Sequence, residues 1–142
     1  MSSKSEKIGE IIAEHHRREG PLLPILHDVQ EEFGCVDAES EALIAKGLNL
    51  SRADVHGVVS FYHDFLDKPD LRPEVQICRA EACKARGVEE LMDAATDAAG
   101  ERVKLTTVYC LGLCSAGPSA RVEAGVEPVA DAPALAQIIE NA

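Results

Sequence analysis

Four of the five cysteines fall into two close pairs in the second half of the chain: Cys78-Arg-Ala-Glu-Ala-Cys83, with four residues between its thiols, and Cys110-Leu-Gly-Leu-Cys114, with three. Thiolates are the usual ligands of iron in 2Fe–2S clusters, which need four of them, and soft sulfur donors suit such centres better than oxygen. Structural zinc is also held by cysteine pairs with two to four intervening residues, so spacing alone leaves a zinc site open. A thiol–disulfide oxidoreductase would show two residues between its cysteines, and neither pair does. Single cysteines are commonly core residues, but two close pairs at strand ends are a different pattern. Cys35 follows Gly34, far from both pairs, and reads as a non-ligand. His15, His16, His27, His56 and His63 all lie in the first half, form no ligand spacing with the cysteines, and are expected on surfaces or in helix packing.

The elements that must position the thiols follow from pattern. Around the second pair, Gly112 permits a backbone conformation closed to other residues. Leu111 and Leu113 are expected to exclude water, and Gly117-Pro118 sets a turn whose amides could donate to sulfur. Glu74–Ile77 reads as a strand leading into Cys78, Val88–Ala99 as a helix stopped at Gly100, and Arg102–Tyr109 as a β-branched strand leading into Cys110. Ala120–Ala124 and Glu127–Ala130 read as a hairpin turning at Gly125, and Pro133–Asn141 as a closing helix. A right-handed crossover makes the first two strands parallel and gathers their carboxyl ends, so both pairs should meet there.

The first half reads as four helices. Ile8, Ile11 and Ile12 mark a helix over Glu6–Glu19, ended by Gly20-Pro21. Leu22, Leu26, Val29 and Phe33 mark a second, closed by Gly34, and a third covers Glu39–Leu48. Ser51, with Asp54 in the capping-box position, starts a fourth whose apolar side is Val55, Val58, Val59, Tyr62 and Phe65. Pro69 and Pro73 bracket a linker. The expected organisation is α+β: a helical bundle domain over 1–68, then an α/β lobe over 73–142.

Composition narrows the function. The 142 residues carry 14 basic and 25 acidic side chains, a net charge of −11. Nucleic-acid binding needs clustered positive charge, and neither half offers it. A helix-turn-helix reading of Ser51–Phe65 fails likewise, since Arg52 is the one fixed cation there. The same charge repels an anionic membrane, and no apolar run approaches the ~20 residues of a span. The amino-terminal residues carry no apolar signal core, so the chain is expected in the cytoplasm, where cysteines serve metals or redox chemistry more than disulfides.

At these residues the chain resembles the thioredoxin-like 2Fe–2S ferredoxin family, which includes the 24-kDa subunit of respiratory complex I and equivalent subunits of NAD-linked hydrogenases and formate dehydrogenases. The resemblance is carried by Leu23–Gly34, by Val55–Tyr62 and by both cysteine pairs, and so runs through almost the whole chain. It implies that Cys78, Cys83, Cys110 and Cys114 hold one 2Fe–2S cluster rather than zinc, and that residues 73–142 are the thioredoxin-like domain. Phe61-Tyr62-His63-Asp64-Phe65 and Cys78–Cys83 look most like the gamma subunit of cytoplasmic NAD-dependent formate dehydrogenase. That likeness implies an electron-transfer subunit without catalytic residues of its own. Its expected partners are a flavin subunit with FMN and NAD, and a large formate-oxidising subunit with a molybdenum or tungsten cofactor. One departure stands out: only 26 residues separate Cys83 from Cys110, fewer than the family pattern implies.

Overall fold

Ser3 and Glu6 start the first helix by reciprocal bonding, each side chain accepting from the other's backbone amide at 3.2 and 2.8 Å. The computed structural model describes residues 2–142 and divides the chain into two units, Met1–Asp70 and Leu71–Ala142. In the first unit, helices α1 (Lys4–His15), α2 (Leu22–Phe33), α3 (Ala38–Leu48) and α4 (Arg52–Phe61) surround an aliphatic core. Ile8, Ile25, Leu26, Val29, Ile44 and Val55 are fully buried in it. Full burial of one such side chain contributes about 1.5–3 kcal/mol, so this set outweighs the weak intrinsic stability of short helices.

Two boundaries differ from expectation for local reasons. Helix α1 stops at His15 rather than Glu19. The residues beyond, His16 to Glu19, bring only polar side chains and no core anchor. Helix α4 stops at Phe61, so Tyr62 and Phe65 do not continue its apolar side as the periodicity suggested. Instead the Gln30 side chain donates to the Asp64 carbonyl (2.5 Å) and accepts from the Leu66 amide (2.7 Å). That clamp turns the chain back and places Phe65 in the core from outside the helix. Gly34 closes α2 at φ 77°, a left-handed position where glycine has no Cβ penalty.

In the second unit, the elements are β1 (Glu74–Cys78), α5 (Glu81–Ala85), α6 (Val88–Ala99), β2 (Lys104–Val108), β3 (Ser119–Val122), β4 (Gly125–Pro128) and α7 (Ala132–Glu140). The sheet order is β2-β1-β3-β4. Strands β1 and β2 are parallel, with Cys78 opposite Val108. Strand β3 lies antiparallel to β1, and β3–β4 is the expected hairpin. Its turn falls at Glu123-Ala124, so Gly125 opens β4 opposite Val122 rather than forming the turn itself. Helices α6 and α7 pack together, and Val75, Ile77, Val88, Ala95, Leu135 and Ile139 form the core. The Arg102 guanidinium donates to the carbonyls of Ile139 (2.8 Å) and Ala142 (3.0 Å), satisfying groups that the end of α7 leaves open. The mixed α+β class is as expected, while the short helix α5, which carries Cys83, has no counterpart in the expected elements.

Asp37 caps α3, accepting from the Ser40 amide at 2.9 Å, and pairs with Lys4 Nζ at 2.6 Å. The Lys4 contact and the Ser40 amide hold its carboxyl down at about 2, against the opposing pull of burial. A folded value below the ordinary ~3.9 of Asp means stability present above about pH 4 and lost as pH falls toward 2. Asn keeps a capping oxygen but removes the charge. Asp37→Asn should therefore cost about 1 kcal/mol or less at pH 7, the pair being partly exposed. In denaturant titrations the gap from wild type should narrow as pH falls below about 4 and close only below about pH 2.

Candidate metal centre

Cys78 is the last residue of β1, and the next residue keeps the parallel ladder going: the Arg79 amide donates to the Val108 carbonyl at 2.9 Å. Five residues later Cys83 sits in α5, which the chain enters in extended conformation at Ala80. Both thiols are 2% exposed. On the neighbouring strand, β2 ends at Val108, exposed Tyr109 follows, and Cys110 comes next. Cys110 has φ 93°, a left-handed conformation costing a non-glycine residue about 1–3 kcal/mol. The distortion accompanies a specific contact, since the Cys110 amide donates to Cys78 Sγ at 3.3 Å. Gly112, at φ 83°, lets the loop turn so that Cys114 Sγ reaches 3.6 Å from Cys110 Sγ.

That sulfur separation suits a shared metal. Two thiolates about 2.3 Å from one tetrahedral metal lie about 3.8 Å apart. The two pairs are electrically unequal. Burial opposes ionisation of Cys78, but the amides of Ala80, Cys110 and Leu111 and the Cys83 thiol together pull it below the ordinary thiol range. Burial pushes Cys83 up, and the adjoining Cys78 adds to that, against the Ser119 hydroxyl and amide. Cys114, exposed, is raised chiefly by Cys110.

The surroundings fit sulfur ligands. A Cβ built on Gly117 would lie 2.9 Å from Cys83 Sγ and 3.5 Å from the Leu113 carbonyl, so only glycine leaves room there. The Ser119 Oγ, buried behind the same cysteine, is the one buried side-chain oxygen or nitrogen among the described residues with no partner of ordinary hydrogen-bond geometry. Arg79, next to Cys78, is committed elsewhere, its guanidinium bidentate to the Glu89 carboxylate at 2.9 and 2.5 Å. Leu111 and Leu113 are partly buried, while Cys110 and Cys114 are exposed, so the leucines do not seal the second pair from water as expected. Gly117 and Ser119 act on Cys83 through the turn and strand that follow Cys114. Only the Gly-Pro turn had been visible in the sequence.

The remaining candidates stay in the helical unit. Cys35 is buried, and burial followed by the nearby Asp37 carboxylate pushes its thiol up. His15 Nε2 meets Asp28 at 2.5 Å, and His56 Nδ1 meets Glu41 at 3.1 Å, which makes both struts between helices. Glu14, His15 and Asp28 offer three ligand atoms within 4.8 Å, a grouping with no local signature in the residue pattern. Arg18 contacts the other His15 ring nitrogen at 3.2 Å, a cation where a metal would need free donors.

Two cysteine pairs gathered at the carboxyl ends of β1 and β2, within a four-stranded sheet, are a set of donors that could hold a metal through four thiolates. The model of the thioredoxin-like [2Fe-2S] ferredoxin family matches residues 8–142, and the chain belongs to that family. Among curated relatives, NADP-reducing hydrogenase subunit HndA of Solidesulfovibrio fructosivorans is 28% identical over 111 residues, covering 72% of this chain and 65% of the relative. NADH-quinone oxidoreductase subunit 2 of Thermus thermophilus is 31% identical over 114 residues, covering 74% and 63%. The chain thus spans slightly under two thirds of these two relatives. A crystal structure of NAD+-reducing [NiFe]-hydrogenase shares the fold at a TM-score of 0.67, with 23% identity over 84% of this chain and 22% of that one. Among the described residues no helix is long and apolar enough to cross a membrane.

Gly117→Ala should press a methyl group into Cys83 and destabilise the second unit by about 1–3 kcal/mol. Gly57→Ala, in α4 with open space around it, should be neutral or slightly stabilising, because alanine favours helix. Denaturant unfolding of the two variants checks the contrast, and equal effects would remove the special role of Gly117.

Proposed function

We infer that the chain is the 2Fe–2S electron-transfer subunit of an NAD-linked oxidoreductase complex, in which Cys78, Cys83, Cys110 and Cys114 would hold the cluster. The observation that carries this reading is the meeting of the two pairs across β1 and β2, with the Cys110 amide on Cys78 Sγ. A 2Fe–2S cluster supplies reversible one-electron transfer. The protein's part is to hold the thiolates, to direct the Cys110 amide at Cys78 Sγ, and to keep the first pair dry. Amide donors stabilise negative charge on sulfur and so tune the ease of reduction. No side chain of this site forms a substrate pocket, and chemistry on formate, hydrogen or NAD belongs to partners.

For the parent complex, the segments Phe61–Phe65 and Cys78–Cys83 support the gamma subunit of a cytoplasmic NAD-dependent formate dehydrogenase. Its companions would be an FMN- and NAD-binding subunit and a large formate-oxidising subunit with molybdenum or tungsten. The named relatives support a second reading, an equivalent subunit of an NAD-linked hydrogenase or of complex I. In either complex the two parts act as separate domains, 1–68 gripping the flavoprotein and 73–142 carrying the cluster.

The purified chain should be brown, with about two irons and two sulfides, and EPR-active only after one-electron reduction. Cys78→Ser, Cys83→Ser, Cys110→Ser and Cys114→Ser should each lose iron, while Cys35→Ser keeps it. Stoichiometric zinc in a colourless protein would defeat the cluster reading in favour of a zinc-stabilised adaptor.

Affinity purification of the tagged chain from its own cells tests the partners. Formate-dependent NAD reduction is expected in the isolated complex. Hydrogen- or quinone-linked activity alone would assign it to the second reading. A fragment beginning at Leu71 should remain coloured yet no longer retain the flavoprotein, and full retention would overturn the role given to the helices.

A further inference from the structure

Ser119 opens β3 and is 1% exposed. Its Oγ has no protein partner of ordinary hydrogen-bond geometry, although a buried hydroxyl left unpaired costs about 1–3 kcal/mol. Its hydroxyl and its amide both act on the Cys83 sulfur. A neutral thiol is a weak acceptor. A metal-bound thiolate carries negative charge and accepts far better. The space is already shaped for that sulfur, since Gly117 leaves Cys83 Sγ a cradle that a Cβ would invade at 2.9 Å.

We propose that Ser119 is a potential-setting residue: its hydroxyl donates to the Cys83 thiolate once that sulfur binds iron, and so favours the reduced state of the cluster. The proposal rests on Cys83 being a ligand, as inferred above. One electron enters from the reductant, no bond forms or breaks, and the added negative charge spreads onto the coordinating sulfurs. A donor fixed at one of those sulfurs interacts more strongly after the electron arrives than before, so its removal makes reduction harder. The hydroxyl touches no substrate, and it acts through Cys83.

The test is a dithionite titration of the full-length, iron-loaded chain, followed by EPR. Ser119→Ala should bind the same amount of iron but lower the equilibrium constant for one-electron reduction about tenfold, which is ~59 mV toward more negative potential. Ser119→Thr keeps the hydroxyl and should stay near wild type. Ser119→Val matches threonine in size without the hydroxyl and should follow alanine, so this pair decides the matter even if alanine alone perturbs packing. Equal potentials for all four chains would overturn the proposal. So would loss of iron in both hydroxyl-free variants while threonine stays loaded, because the hydroxyl would then serve assembly rather than potential. Absence of iron and visible colour in wild type would instead defeat the cluster reading on which the proposal depends.

Discussion

The parallel pairing of β1 with β2 carries the consequences for everything at the four-cysteine site. Parallel neighbours cannot be joined by a tight turn, so α5 and α6 must bridge them, and both strands then finish at the same edge. The register places Cys78 opposite Val108, which leaves Cys110 two residues past the end of β2, within reach of Cys78 through its amide. Side chains alternate faces along a strand, so a slip of one residue would turn Cys78 to the opposite side of the sheet. Burial of Val75 and Ile77 on the same strand makes that slip costly, and the hydrophobic core thereby holds the sulfur in place.

Within that frame the two cysteine pairs live in different media. Cys78 and Cys83 are buried, and the Cys110 amide donates to Cys78 Sγ at 3.3 Å, while the Ser119 hydroxyl beyond Cys83 has no partner of ordinary hydrogen-bond geometry among the described residues. Cys110 and Cys114 stand in solvent on a loop that bends at Cys110 and Gly112, both with positive φ. A backbone conformation that a non-glycine residue avoids persists only where something over-determines it. At Cys110 the contact with Cys78 Sγ is one such constraint.

The helical unit is built on different terms. Its core is aliphatic, and its polar side chains are used mainly at helix ends and between helices: Ser3 with Glu6, Ser51 with Asp54, Asp37 with Lys4, His15 with Asp28. These contacts position helices rather than ligands. Cys35 fits the same description, a small buried side chain beside a cap residue.

Much of this was legible in the residues themselves. Periodicity and caps placed all four amino-terminal helices, and the capping box expected of Ser51 and Asp54 forms, because such signals act within three or four residues. The cysteine spacing, the crossover rule and the β-branched run before Cys110 were enough to bring the pairs together. Tertiary contacts decided the rest. The Gln30 clamp ended α4 and sent Phe65 to the core by another route, a choice made by a residue more than thirty positions away. Helix α5 is barely more than a single turn, too short for any periodic signal. The cradle of Gly117 and the unpaired hydroxyl of Ser119 exist only because β3 returns alongside β1 and carries them to Cys83. Local rules name which atoms can act as ligands. The environment of a buried sulfur depends on groups distant in sequence, and those are brought to it only when the sheet closes.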